Sequence, residues 1–223
     1  MTWHPDMPQE YRNQIVTGDA RVLAERIPDE SVNLIFTDPV YDRIDDYRWL
    51  AETAKRVLVP SGALLIWSNG KWHKRHTDWL EDRGLVYRDE FAHVQIRYGA
   101  AFDGRIIRKC NRVLWFDLGE TSELKSYVID GFAEPTIPGG GFHWAKSSRF
   151  SSMLIEAFLP GVVFDPFCGR GTIPAMTMRS PMWHGFLAFE VSILDAELAR
   201  AAIRNTQPLL FSQGIEQAEF EFN

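Results

Sequence analysis

The run Val162-Val163-Phe164-Asp165-Pro166-Phe167-Cys168-Gly169-Arg170-Gly171-Thr172 decides the fold. Three bulky apolar residues bounded by Pro160-Gly161 read as a short buried strand, Val162–Phe164. The strand breaks at Asp165-Pro166 into a turn with two glycines. Gly169 and Gly171 let the backbone turn sharply and approach a ligand with no Cβ in the way. A helix starting at Thr172 then offers unpaired N–H groups at its first turn. About 20 positions on, Glu190 ends a second apolar run, Gly185–Phe189. An acidic residue at that distance from a glycine turn suits the hydroxyls of a ribose. Gly-X-Gly alone is an ordinary strand-to-helix turn; Asp165 before it and Glu190 after it make it a ligand site.

Outward from this turn, strand and helix signals alternate, which predicts an α/β fold: a doubly wound, mostly parallel sheet with an antiparallel edge. Val32–Thr37 and Ala63–Trp67 read as strands. Asp45–Leu58 reads as a helix broken by Pro60-Ser61-Gly62, and Lys71–Arg83 as a helix closed by Gly84. Leu85–Arg97 and Arg112–Leu118 read as longer strands, paired antiparallel at the sheet edge. Residues 119–142 gather Gly and Pro and lose periodicity, so they read as a loop. Helices are expected over Phe150–Phe158 and Leu194–Asn205. The tail after Pro208 has no clear pattern beyond a candidate edge strand at Glu219–Phe222.

A chain of 223 residues, 45% hydrophobic and 24% charged, suits one domain with a well-filled core. No apolar stretch approaches the roughly 20 residues that span a bilayer. Met1-Thr2-Trp3-His4-Pro5-Asp6 carries no basic-then-apolar pattern, so secretion is not expected. Cys110 and Cys168 make neither a disulfide framework nor a zinc site, so a reducing cytoplasm is the expected location. Cys168 reads as a small buried filler. His73 and His76 read as surface residues, and no metal site is expected. The net charge of −6 argues mildly against a dedicated polyanion binder. Distribution matters more than the total. Lys71, Lys74 and Arg75 form one basic cluster, read as a solvated face. Arg97, Arg105, Arg108, Lys109 and Arg112 form another.

Far upstream, the strand Val32–Thr37 ends in Asp38-Pro39-Val40-Tyr41. An exocyclic amino nitrogen on a nucleobase is a poor nucleophile because its lone pair is delocalised into the ring. Two acceptors aimed at its two hydrogens favour a more tetrahedral nitrogen and free that pair. The Asp38 carboxylate and the Pro39 carbonyl suit those two positions, as preorganised dipoles facing developing charge. Tyr41 suits stacking on the base. Without the glycine turn downstream, an ordinary Asp-Pro turn would account for these residues equally well.

Together the two motifs resemble those of the permuted, S-adenosylmethionine-dependent DNA amino-methyltransferases. Asp165–Thr172 is similar to the family's Asp-Pro-Phe-X-Gly-X-Gly-Thr cofactor motif, and Asp38–Tyr41 to its Asp-Pro-Pro-Tyr catalytic motif. The resemblance covers roughly Gln14 to Asn205. It implies S-adenosylmethionine as cofactor, with Asp165, Phe167, Gly169, Gly171 and Thr172 around it and Glu190 on the ribose. Thr17-Gly18-Asp19 resembles the segment whose Asp contacts the cofactor's adenine. His143-Trp144-Ala145-Lys146 resembles the segment leading into the glycine strand, which adds Lys146, although both flanking prolines are absent. Val40 stands where the family has a second proline. A proline there would hold Pro39 extended; valine loosens that restraint, although β-branching still favours extended geometry.

The order, catalytic motif before cofactor motif, implies methylation of adenine N6 or cytosine N4, and an acidic first position leans toward adenine. The family also implies a flipped-out target base and a place in restriction–modification. The expected organisation is one domain, 1–223, with a reduced target-recognition insertion at about 97–142. Arg105, Arg108, Lys109 and Asn111 are its candidate DNA contacts. So small a reader predicts a short recognition sequence or help from a second subunit, as in a homodimer. RNA as substrate, a protein glutamine amide, or a cofactor-binding partner subunit weakened at Val40 remain the alternatives.

Overall fold

The computed structural model describes residues 3–96, 101–103, 106–120, 122, 124–135, 146–180 and 185–206, with 101–108 as backbone only. The strands are β1 (Gln14–Thr17), β2 (Val32–Thr37), β3 (Leu58–Asn69), β4 (Val86–Gln95), β5 (Ala101–Asp103), β6 (Ile106–Arg108), β7 (Cys110–Asp117), β8 (Gly131–Glu134), β9 (Val162–Asp165) and β10 (Gly185–Glu190). The helices are α1 (Ala20–Leu23), α2 (Ile44–Val57), α3 (His73–Glu81), α4 (Ser148–Ala157), α5 (Thr172–Arg179) and α6 (Ile193–Arg204).

Eight strands form one sheet in the order β1-β10-β9-β2-β3-β7-β4-β8, and β5 and β6 form a separate hairpin. Within the large sheet only β7 runs against its neighbours, pairing antiparallel with β3 and β4. A parallel centre must be covered on both faces, so its strands are apolar throughout. Leu34, Ile35 and Phe36 of β2 and Val163 and Phe164 of β9 are all fully buried. One core lies on the face under α4 and α5 and includes Phe36, Trp67, Phe150 and Leu154. The other lies under α2 and includes Ile35, Leu50, Val57 and Phe164. Each large apolar side chain sealed in this way contributes about 1.5–3 kcal/mol.

β9 continues through α5 to β10 on one side, while β2 continues through α2 to β3 on the other. The chain therefore reverses its direction of travel between β9 and β2, which pair through Leu34–Val163 and Ile35–Phe164. Crevices open at the carboxyl ends of strands at such a reversal. Both motifs leave the sheet there.

The expected α/β sheet with its antiparallel edge is the observed one. The helices predicted over 45–58, 71–83, 150–158 and 194–205 lie within two residues of those observed at each end. Other expectations need correction. Pro60-Ser61-Gly62 is no helix breaker, because helix gives way to strand already at Leu58, and a register shift between Val32 and Leu34 absorbs the irregular stretch. The glycine-rich segment is not loop throughout: Gly131–Glu134 adds an edge strand parallel to β4. β1 went unpredicted because four residues with one fully buried position carry little pattern. Nor is His76 a surface residue; it is fully buried, and His73 is half-buried beside Glu90. The tail beyond Thr206 lies outside the described residues, as does the strand expected there. Among the described residues no helix is long and apolar enough to cross a membrane.

Candidate active site

A cavity of about 610 Å³ opens at the strand reversal. Gly18, Asp19, Asp38, Trp67, Lys146, Asp165, Phe167, Gly169, Thr172 and Glu190 all line it. Two segments far apart in sequence therefore face one space, as the two motifs require.

At the glycine end, Gly169 has φ +51°, and a Cβ built on it would meet nothing within 4 Å. Its N–H donates to Glu190 Oε2 at 2.8 Å, while Glu190 Oε1 accepts from Ser192 N at 2.8 Å. Glu190 thus clamps the glycine turn to the end of β10, and a carboxylate oxygen keeps capacity for further donors. Gly171 behaves differently. It caps α5 at φ +82°, and a Cβ there would come within 2.9 Å of Ala199 Cβ. The sequence resemblance placed Gly171 around the ligand; the structure uses it to let α6 approach α5. Asp19 caps α1 by accepting from Arg21 N at 2.9 Å. Arg21 pairs with Asp46 at 2.7 Å on the same rim.

Asp165 is buried beneath the turn. Its Oδ1 accepts from Thr37 Oγ1 at 2.7 Å and from Phe167 N at 3.2 Å. Thr37 directly precedes Asp38, so this bond ties the two motifs together. Burial pushes the Asp165 carboxyl up to about 8, with Thr37 and Phe167 opposing and the Asp38 and Glu190 carboxylates adding to the rise. Burial likewise pushes the Cys168 thiol far up, which suits an inert filler.

At the other end, Asp38 Oδ2 pairs with Lys146 Nζ at 2.9 Å. Asp38 Oδ1 is buried and has no hydrogen-bond partner among the described residues. Lys146 also donates to the Tyr41 hydroxyl at 3.1 Å and sits 5.1 Å from the Trp67 ring centre. Lys146, expected beside the cofactor, lines the cavity and also contacts Asp38 and Tyr41. Tyr41 turns its hydroxyl toward Lys146, and burial with the nearby Asp38 carboxylate drives that hydroxyl well above its ordinary value. Val40 is half exposed at the rim.

His76 supports this motif and escaped the sequence reading. Its Nε2 lies 2.9 Å from the Tyr41 carbonyl oxygen, and its Nδ1 lies 2.8 Å from Ser68 Oγ. Burial pushes its imidazole down to about 4. A signal existed: Trp72, His76, Trp79 and Leu80 share one face of a helix, and that face points inward.

The expected DNA contacts lie farther out. Arg105 is outside the described residues, and only the backbone of Arg108 is described, in β6. Lys109 is exposed between β6 and β7. Asn111 pairs with Asn69 where β3 ends, at the cavity's end of the sheet. Neither Lys109 nor Asn111 lines the cavity.

No protein-family model matches the chain. In sequence it is similar to the type II methyltransferase M.BamHI of Bacillus amyloliquefaciens, 26% identical over 244 residues, which cover 83% of this chain and 56% of that protein. It is also similar to the type II methyltransferase M.BglII of Bacillus subtilis, 30% identical over 123 residues, 48% of this chain and 30% of that protein. The chain therefore spans about half the length, or less, of these relatives. Among solved structures, the M1.HpyAVI–SAM complex superposes with a TM-score of 0.71 at 20% identity, over 85% of this chain and 98% of that one. The cytosine-N4-specific PvuII DNA methyltransferase superposes with a TM-score of 0.73 at 15% identity, over 92% of each chain. Motifs, sequence and fold point the same way: the chain is similar in sequence to type II DNA methyltransferases and is built on the fold of the solved ones.

Proposed function

We propose that this protein methylates the exocyclic N6 amino group of adenine in DNA, using S-adenosylmethionine and a target base swung out of the helix. One observation carries the reading: Asp38 and the Gly169 turn face each other across one cavity, with Asp38 Oδ1 buried and unpartnered. The residues fit the cofactor. Six carboxylates, Asp19, Asp38, Asp46, Asp165, Glu190 and Asp195, line the cavity with four cations, Arg21, Arg43, Lys146 and Arg170, and the acidic excess favours a cationic ligand. Glu190 is suited to the ribose hydroxyls, Asp19 to the adenine edge, and Phe167 and Thr172 to the walls. Bound there, S-adenosylmethionine supplies an electrophilic methyl carbon.

This chain's residues do the rest. Lys146 holds Asp38 by Oδ2 and leaves Oδ1 to accept one amino hydrogen. The Pro39 carbonyl takes the other. Both acceptors draw the nitrogen toward tetrahedral geometry, and the proton released passes to Asp38. Preorganised groups of this kind are worth roughly 10²–10³ in rate each. Extruding the base from a duplex costs a few kcal/mol, which contacts to the flanking backbone must offset. The segment at about 97–142 is assigned to target reading, with Arg105, Arg108, Lys109 and Asn111 as its contacts.

Cytosine N4 is the second reading. It carries the same two hydrogens, and the PvuII match is cytosine-N4-specific. Mass spectrometry of nucleosides from DNA of cells expressing the protein distinguishes them. N6-methyladenine is expected, and it should vanish in cells expressing Asp38→Ala. N4-methylcytosine would replace the first reading by the second, and no methylated nucleoside would remove both.

A further inference from the structure

We infer that His76 supplies, from the flanking helix, the restraint on the catalytic turn that a second proline at position 40 would give. The inference rests on the methyl-transfer reading above. Val40 is 50% exposed, so its side chain does not anchor the turn by packing. The anchor lies one residue on, where the Tyr41 carbonyl oxygen and His76 Nε2 stand 2.9 Å apart. A carbonyl only accepts, so Nε2 carries the hydrogen. Nδ1 is then a bare lone pair, and it accepts the Ser68 hydroxyl hydrogen at 2.8 Å. Ser68 and His76 are both fully buried. Tyr47 stacks on the imidazole at 4.2 Å and 24°, and Trp72 at 6.0 Å and 10°. The donor is therefore fixed in position by β3, α2 and α3 before any substrate arrives.

A proline at 40 would limit the torsion of Pro39 and so aim its carbonyl. His76 pins the carbonyl of Tyr41, two residues later. Both act on the same short stretch, which carries the Asp38 carboxylate and the Pro39 carbonyl. His76 touches no reacting atom; it is a positioning residue.

A buried histidine that merely fills the core would also matter for folding, so the test is a double-mutant cycle. The four proteins are wild type, Val40→Pro, His76→Ala and the combination, each as the full chain. Three quantities are read: kcat at saturating DNA and cofactor, cofactor Kd by calorimetry, and deuterium uptake of residues 38–43. His76→Ala is expected to lower kcat by about tenfold to a hundredfold, the scale of a small misplacement of reacting groups. Cofactor Kd should change little, and uptake in 38–43 should quicken. Adding Val40→Pro should recover most of the lost kcat and slow the uptake again, with its own effect divided out by the cycle. An unchanged kcat in His76→Ala, or a loss that proline does not relieve, overturns the inference. If His76→Ala fails to fold, Ser68→Ala, which frees the far side of the ring, enters the same cycle with the same expectations. If wild type methylates no nucleic acid, the methyl-transfer reading fails. The uptake arm then still decides the positioning role: loosening by alanine and tightening by proline support it, and unchanged uptake overturns it.

Discussion

Lys146 stands 2.9 Å from Asp38, and its ammonium also reaches the Tyr41 hydroxyl, so a residue just before α4 grips a motif at the end of β2. The sequence resemblance placed it with the cofactor; it lines the cavity, and its polar contacts are to Asp38 and Tyr41. Lys146→Met, which keeps a stem of similar length and deletes the charge, is therefore expected to lower kcat at least tenfold, the scale of a lost charge-assisted hydrogen bond. Cofactor affinity should hold. Single-turnover methyl transfer and calorimetric titration separate the two quantities. Weakened binding with unchanged turnover would return Lys146 to the cofactor's side.

The motifs were legible because each sits where a buried strand ends, and a run such as Val162–Phe164 or Val32–Thr37 leaves little freedom about where its turn begins. Their convergence was legible only through resemblance. Nothing local in Asp38-Pro39-Val40-Tyr41 says that β2 lies beside β9; that follows from the pairing of Leu34 with Val163. Pairwise roles were harder still. Gly169 and Gly171 look alike in sequence, yet one opens onto the cavity and the other onto Ala199. His76 read as exposed because its polar partners, Ser68 and the Tyr41 carbonyl, come from other elements. β8 was hidden because Gly131–Glu134 has no alternation and borrows its order from β4.

Asp165 is expected to make cofactor binding depend on pH. Burial lifts its carboxyl to about 8, so near neutrality the free protein holds much of it protonated. A cationic ligand in the same cavity favours the ionised form. Binding then releases a proton, and affinity rises with pH by up to about tenfold per unit below 8 and levels above it. Asp165→Asn should flatten that rise, and its curve also isolates any titration of the ligand itself. Calorimetry between pH 6 and 9, on the scale of one ordinary titration step, checks both. Equal slopes in the two proteins would exclude Asp165. Stability runs the other way. The folded pKa is raised, so the contribution is fully present below the unfolded value near 3.8 and is lost as pH rises through about 8.

Gly169 and Gly171 should part under substitution by alanine. Gly171→Ala adds a methyl 2.9 Å from Ala199 Cβ at φ +82°. Left-handed strain and the clash together should cost about 1–3 kcal/mol of stability. Gly169→Ala meets open space at φ +51° and should cost about 1–2 kcal/mol from the backbone alone. Its methyl points where the ligand is expected, so cofactor Kd should suffer more in Gly169→Ala than in Gly171→Ala. Thermal melts and titrations on the two variants give the ordering, and the reverse ordering would contradict these assignments.

The basic cluster expected to be a plain solvated face divides in the structure. Lys74 is paired with Asp78 at 2.8 Å. Lys71 and Arg75 instead lie over the Trp72 ring, at 6.0 and 5.1 Å from its centre. Trp72 stacks in turn on His76, whose Nε2 lies 2.9 Å from the Tyr41 carbonyl oxygen, so these two cations lie near the Asp38–Tyr41 turn beyond the end of β3. If DNA is the substrate, they are placed to meet its phosphates near the extruded base. Lys71→Ala with Arg75→Ala should raise KM for DNA, leave cofactor affinity alone, and reduce the salt dependence of DNA binding by about one counterion per lost contact. Binding isotherms at several salt concentrations measure that slope directly. A double variant whose slope matches wild type would mean that the phosphates are held elsewhere and that Trp72 merely shelters two solvated cations.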